Sequence, residues 1–165
     1  MLPVPTYAGE VKDGASLYYR EFILGFIKEK KFTVRSVIEN LTDAGVSDGS
    51  PEESEFTVTG FIRQTDEGYT LTYQEQTEGG KVVCDVETGD GEVTVCRRGA
   101  ICCVMKFGKE PTSTVYEIPP YKFDMTLRTK KIRNTLSLDG GMLDLFYSMN
   151  VGGAEKNVRL RITVN

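Results

Sequence analysis

From Glu55 onward the sequence alternates apolar and polar residues with a period of two, and only short Gly- and Asp-containing runs interrupt it. Phe56, Val58, Gly60 and Ile62 alternate with Thr57, Thr59, Phe61 and Arg63. After Asp66-Glu67-Gly68, Tyr69, Leu71, Tyr73 and Glu75 alternate with Thr70, Thr72, Gln74 and Gln76. Gly79-Gly80 leads to Val82, Cys84 and Val86; Gly89-Asp90-Gly91 leads to Val93 and Val95; Gly99 leads to Ile101, Cys103, Met105 and Phe107. A strand points successive side chains to opposite faces, so this period spells strands with one buried side. The interruptions are too short for the crossovers that parallel strands need. The pattern therefore predicts an antiparallel up-and-down meander of about nine or ten strands. A twisted sheet of that size closes on itself or folds into two layers, and closure removes exposed edges. The predicted fold class is all-β, an antiparallel up-and-down β-barrel.

The segment from Arg97 to Arg133 carries the clearest strand signals. It predicts a strand over 100–107, a loop with Gly108 and Pro111, a strand over 114–118, a Pro119-Pro120 corner and a strand over 122–131. Phe123, Met125, Leu127 and Thr129 share one face of the last of these. Gly140-Gly141 then leads to Leu143, Leu145, Tyr147 and Met149. Gly152-Gly153 leads to Val158, Leu160, Ile162 and Val164, set against Asn157, Arg159, Arg161 and Thr163.

Upstream the period differs. Tyr18, Phe22, Ile23, Phe26 and Ile27 form one apolar stripe at helical spacing, which predicts an amphipathic helix over 15–31, capped by Asp13 or Ser16. The chain thus divides into an N-terminal extension, 1–31, and a barrel domain, 32–165, whose first strand is predicted over 32–38. Residues 40–54 read as an acidic, flexible loop. Burying the stripe against the barrel is sufficient reason for such a helix; a lid, or a contact for a second copy in a homodimer, is the functional alternative.

The 165-residue chain contains no His and no Trp. The usual general base and the commonest metal ligand are therefore missing. Cys84, Cys96, Cys102 and Cys103 form no C-x-x-C and read as reduced thiols of a cytoplasmic protein. In that compartment the Asn40-Leu41-Thr42 sequon has no meaning. No apolar run reaches the ~20 residues of a membrane span. Asp85, Glu87, Asp124 and Asp144 are scattered on polar phases, and no nucleophile elbow or phosphate loop is present. The expectation is a protein that is not an enzyme and needs no cofactor or metal.

Several weak motifs, in order, carry a family likeness: Tyr69-x-Leu71-x-Tyr73-x-Glu75, Arg98-Gly99, Met105-x-Phe107, Tyr116-Glu117, the strand ending at Thr129, and the closing Arg159 to Val164. Over roughly Phe32 to Asn165 the chain resembles the bacterial YwiB-like family of unknown function. That resemblance implies a lipocalin-like (calycin-type) β-barrel and no particular reaction. One departure stands out. Where members often read Thr-Pro-Tyr-Gly after the position of Tyr116, this chain has Ile118, Pro119, Pro120 and Tyr121. Tyr121 does not take a positive φ as a Gly would, so the corner must be turned differently.

A small barrel either fills with side chains or holds one small ligand. The candidate ligand-binding residues are Tyr73, Glu75, Arg98, Tyr116, Thr129 and Tyr147, polar anchors for a small, mostly apolar molecule. Arg98 is out of phase with Val93 and Val95; a bulge at Gly99 would bring it inward. The bland alternative makes Glu75 and Arg98 a structural pair and the tyrosines core. A second group, Arg97, Arg128, Lys130, Lys131, Arg133, Arg159 and Arg161, is basic and could serve RNA or an acidic protein. No aromatic residue is interleaved with it in sequence, and charges on a polar phase ordinarily face solvent, so nucleic acid is not the expected partner. The net charge of −4 points the same way.

Overall fold

The computed structural model describes residues 26–165. They form ten antiparallel strands: β1 (Ile27–Asn40), β2 (Glu52–Gln64), β3 (Gly68–Thr77), β4 (Gly80–Gly89), β5 (Glu92–Gly99), β6 (Cys103–Phe107), β7 (Thr112–Ile118), β8 (Tyr121–Asn134), β9 (Gly141–Val151) and β10 (Ala154–Val164). Every strand pairs with its sequence neighbour except that β6 and β7 form no ladder, and β10 returns to pair with β1. That return aligns Phe32 with Val164 and Ile38 with Val158. The sheet therefore curls into a nearly closed barrel. Its seam lies between β6 and β7, where a single bridge, Cys102 with Glu117, is held by N–H···O=C bonds of 2.8 and 2.9 Å.

The inward phases are those the alternation predicts. Phe32, Ile62, Leu71, Val86, Leu143, Leu145 and Ile162 are all buried and form one end of the interior. Gly60 has a packing reason: a Cβ there would strike the Phe32 ring and Thr72 O. Its absence lets the ring come close to the wall. On β8 the register shifts between Thr129 and Lys131, a bulge at Lys130. Met125, Leu127 and Thr129 share the inward phase before the bulge. After it Ile132 faces in, while Lys131 and Arg133 turn outward.

The N-terminal boundary needs correcting. The helix expected over 15–31 lies outside the described residues up to residue 25, but residues 27–31 are strand. Ile27 pairs with Arg63 and Lys31 with Thr59, so β1 begins at Ile27 instead of Phe32. The amino groups of Lys28 and Lys30 reach Asp139, at 2.9 Å to its carboxylate and 3.4 Å to its carbonyl. Here the strand runs past the main packed cluster: Lys28 and Lys30 hold the phase of Phe32 without apolar side chains, and Ile27 is buried outside that cluster. Among the described residues no helix is long and apolar enough to cross a membrane.

Candidate functional site

The interior is packed at one end only. Toward the other it holds a cavity of about 370 Å³, walled by Val34, Val95, Met105, Met125, Val158 and Leu160. A second hollow, of about 410 Å³, lies over Arg63, Glu67, Glu87 and Glu92 and offers a mostly acidic and threonine lining. The interior cavity is the one with apolar walls and a few converging polar groups, the usual make-up of a small-molecule site.

Strand register sets those polar groups in one row. Tyr73 on β3 pairs with Cys84 on β4, Cys84 with Arg97 on β5, and Arg97 with Cys103 on β6. Across the seam, the Cys102–Glu117 bridge brings Tyr116 alongside Cys103. Arg97 donates to Glu75 Oε2 at 2.6 Å, and both side chains are largely withdrawn from solvent, at 18% and 25% exposure. Burial is the largest influence on Arg97 and opposes its charge, but the Glu75 carboxylate together with Cys84 and Tyr116 outweighs it and holds the guanidinium above its ordinary pKa. Tyr147, on β9, lies against Phe107 with ring centroids 4.6 Å apart.

Burial pushes the hydroxyls of Tyr73, Tyr116 and Tyr147 and the thiol of Cys84 upward, and Arg97 partly opposes it for each. Burial also pushes Cys103 from 9.0 up to about 11. The row therefore presents neutral hydrogen-bond donors around one ion pair. A pH dependence follows. Each group is an acid that holds its proton more tightly in the folded protein than in the unfolded chain. As pH rises the unfolded chain ionises first, so stability is intact below the unfolded pKa and declines above it. For Cys103 the decline spans pH 9.0 to about 11. Thermal melts across that window should show Cys103→Ala losing stability less steeply than the parent; equal slopes would contradict the burial of this thiol.

Of the sequence-derived candidates, Tyr73, Glu75, Tyr116 and Tyr147 line the cavity. Arg98 does not: it lies on the outer face, bonded to Asp85. No bulge forms at Gly99, because the β4–β5 register runs without a shift from Gly89 with Glu92 to Val82 with Gly99. Gly99 instead takes a φ of +131°, with Lys81 O where a Cβ would sit. Arg97 keeps the phase of Val93 and Val95 and is the inward arginine, so it also leaves the basic group to which its charge assigned it. Thr129 accepts a hydrogen bond from Gly108 N–H at 3.0 Å and anchors the β6–β7 loop. Sequence reasoning missed Lys156, which lines the cavity from β10, although it shares the phase of Val158 and Leu160. It also missed the rim. Ile118, Tyr121 and Phe123, on the inward phase of the β7–β8 hairpin, are all exposed. They flank the cis Pro119–Pro120 corner.

A family model described as a domain of unknown function, DUF1934, matches residues 38–162. The chain belongs to the DUF1934 family. It is 31% identical over 126 residues to the "Uncharacterized beta-barrel protein YwiB" of Bacillus subtilis, covering 76% of this chain and 84% of that protein. The crystal structure of the ywiB protein from Bacillus subtilis superposes with a TM-score of 0.68 at 26% identity, covering 87% of this chain and 99% of that one. The DUF1934 match runs from within β1 to within β10, and so contains Tyr73, Glu75, Arg97, Tyr116, Tyr147 and Lys156.

The outer face of this DUF1934 barrel carries the basic group. The bulge on β8 sets Lys131 and Arg133 beside Asp144, Phe146, Arg159 and Arg161 in a shallow cleft. An aromatic ring is interleaved after all, since Phe146 comes from the next strand. Lys130 Nζ lies 4.9 Å and the Arg159 guanidinium 5.1 Å from its centroid. Arg161 bonds Asp144 at 3.0 Å, and Arg35 approaches Glu53 at 3.6 Å.

Proposed function

We propose that the barrel is a non-enzymatic carrier or sensor that holds one small, mostly apolar molecule in its interior. The single observation behind this reading is the cavity of about 370 Å³ between apolar walls, with the Glu75–Arg97 pair and three tyrosines facing it. Its volume falls within the ~300–1,000 Å³ of typical ligand pockets. The exposed Ile118, Tyr121 and Phe123 support it as well, because an apolar rim lets an apolar guest pass inward without losing contact. The use is lipocalin-like: a closed wall shields the guest from water, and a few donors orient it.

The absence of catalysis is part of the reading. The thiols beside Arg97 are held protonated by burial, and a thiol is a far weaker nucleophile than a thiolate. Four free cysteines suit the reducing cytoplasm. A nucleic-acid role for the outer face has less support. Phe146 already lies against two cations, and Arg161 and Arg35 already have carboxylate partners.

The test is occupancy. Native mass spectrometry of the protein purified from bacterial cells should show an added small-molecule mass that solvent extraction removes. Leu160→Trp, which fills the cavity, should abolish that mass while melting within a few degrees of the parent. A parent that carries no compound and takes up no added amphiphile would end the proposal.

A further inference from the structure

We infer that the guest is an anionic amphiphile, a carboxylate-headed aliphatic molecule, and that its head is held by Lys156. The inference rests on the interior-site reading above and adds the charge class and the anchor.

The cavity is faced by three ionisable side chains of fixed sign: Glu75, Arg97 and Lys156. Arg97 is taken, since Glu75 holds it at 2.6 Å within the wall. A guest carboxylate competing there would displace one buried acid with another and gain nothing. Lys156 is different. Among the described residues no carboxylate lies within ion-pair distance of it, although twelve of their other side chains do form such pairs. The acids adjacent to it in sequence or register, Glu155 and Glu39, fall on the opposite strand phase. Glu52, on the same phase and near by register, accepts from Asn40 at 3.4 Å instead. The site thus has one uncompensated positive charge.

Its setting gives that charge a function. Lys156 is the third residue of β10, near the Gly152–Gly153 turn, and is half-buried. Below it on the same phase come Val158 and Leu160, and its register partner on β9 is Met149. Its methylenes therefore continue an apolar wall and its ammonium tops that wall. A flexible stem with a mobile charge suits a monoanion near water, whereas a fork like Arg97 suits a fixed bidentate partner. A neutral guest would leave the ammonium unpaired beside an apolar molecule, and a cationic one would meet like charge.

Three ten-carbon probes separate the alternatives: decanoate, decanol and decylamine, titrated into the full-length protein by calorimetry. Decanoate should bind tightest and decylamine weakest. Lys156→Gln should weaken decanoate roughly tenfold, the scale of one charge-assisted hydrogen bond, and leave decanol unchanged. Lys156→Glu should reverse the preference between decanoate and decylamine. If decanoate and decanol bind equally, or Lys156→Gln leaves decanoate untouched, the anchor is wrong while the interior site survives. If no probe binds the parent protein, the interior site itself is wrong and this inference falls with it.

Discussion

Arg97→Met lowers the stability of the barrel by about 3 kcal/mol, whereas the double variant Glu75→Gln/Arg97→Met recovers most of that loss. The single change leaves a carboxylate facing an apolar cavity with no charged partner, only the Cys84 thiol 4.0 Å away, and stranding one half of a buried pair typically costs ~3–5 kcal/mol. The lower end applies because Glu75 retains some solvent contact, at 25% exposure. The double change removes both charges, and a neutral pair of similar volume in a wall of valines and methionines is often no worse than the ion pair it replaces. Denaturant midpoints at constant slope measure both. Equal losses in the single and double variants would mean that Arg97 stabilises through packing alone. The same pair of variants tests the row as a unit. Arg97 opposes the burial-driven rise of Cys84, Cys103, Tyr73 and Tyr147, so losing it should steepen the alkaline decline of stability.

Phe32→Ala destabilises by about 3–5 kcal/mol, the usual range for deleting a buried aromatic ring. Phe32 has no solvent exposure. It meets the edge of Tyr73 at a centroid distance of 6.0 Å and an interplanar angle of 84°. Its Cδ2 and Cε2 atoms lie against Gly60, which has no side chain to move into the space. The void is therefore left open. Phe32→Leu, which keeps most of the volume, should cost less than about 1.5 kcal/mol. Chemical denaturation reads both; similar losses for Ala and Leu would show that the ring's particular shape, and not the volume it fills, is what the site requires.

The sequence made the architecture legible because most strands face water on one side and the core on the other. Alternation and Gly/Asp turns were then sufficient to count strands and exclude crossovers. The signal failed where that geometry fails. Over Lys28 to Lys31 no apolar side chain marks a core face, so a helical spacing ending at Ile27 stands unopposed. The backbone ladder to Arg63–Thr59 decides the matter, and a ladder has no sequence signature of its own.

The candidate site shows the same division. Tyr73, Glu75 and Tyr147 follow from phase and Tyr116 from the family likeness, and phase also points to Arg97. The preference for Arg98 set phase aside in favour of a bulge that Gly99 does not make. A real bulge, at Lys130, sits between Thr129 and Lys131 and leaves no such mark. Nor does the position of Phe146 among cations supplied by the strands on either side, because interleaving across strands is invisible along one. Lys156 was within reach of the phase argument, yet a lysine near a Gly-Gly turn reads by default as solvated surface.

The placing of β10 has a consequence for how the protein is made. A nascent chain can lay down β1 to β6 and then β7 to β9 as two meanders, each growing by neighbour pairing as it emerges. Those meanders meet at the β6–β7 seam through one bridge, and their far edges, β1 and β9, have no partner until the tenth strand is synthesised. For that interval two long strand edges are bare and open to pairing with another molecule. The step that follows joins residues more than a hundred positions apart, as Phe32 and Val164 are, and such distant pairings form slowly. Translation speed and chaperone access during the making of β10 should therefore govern the yield of soluble protein more strongly than they do for any earlier strand.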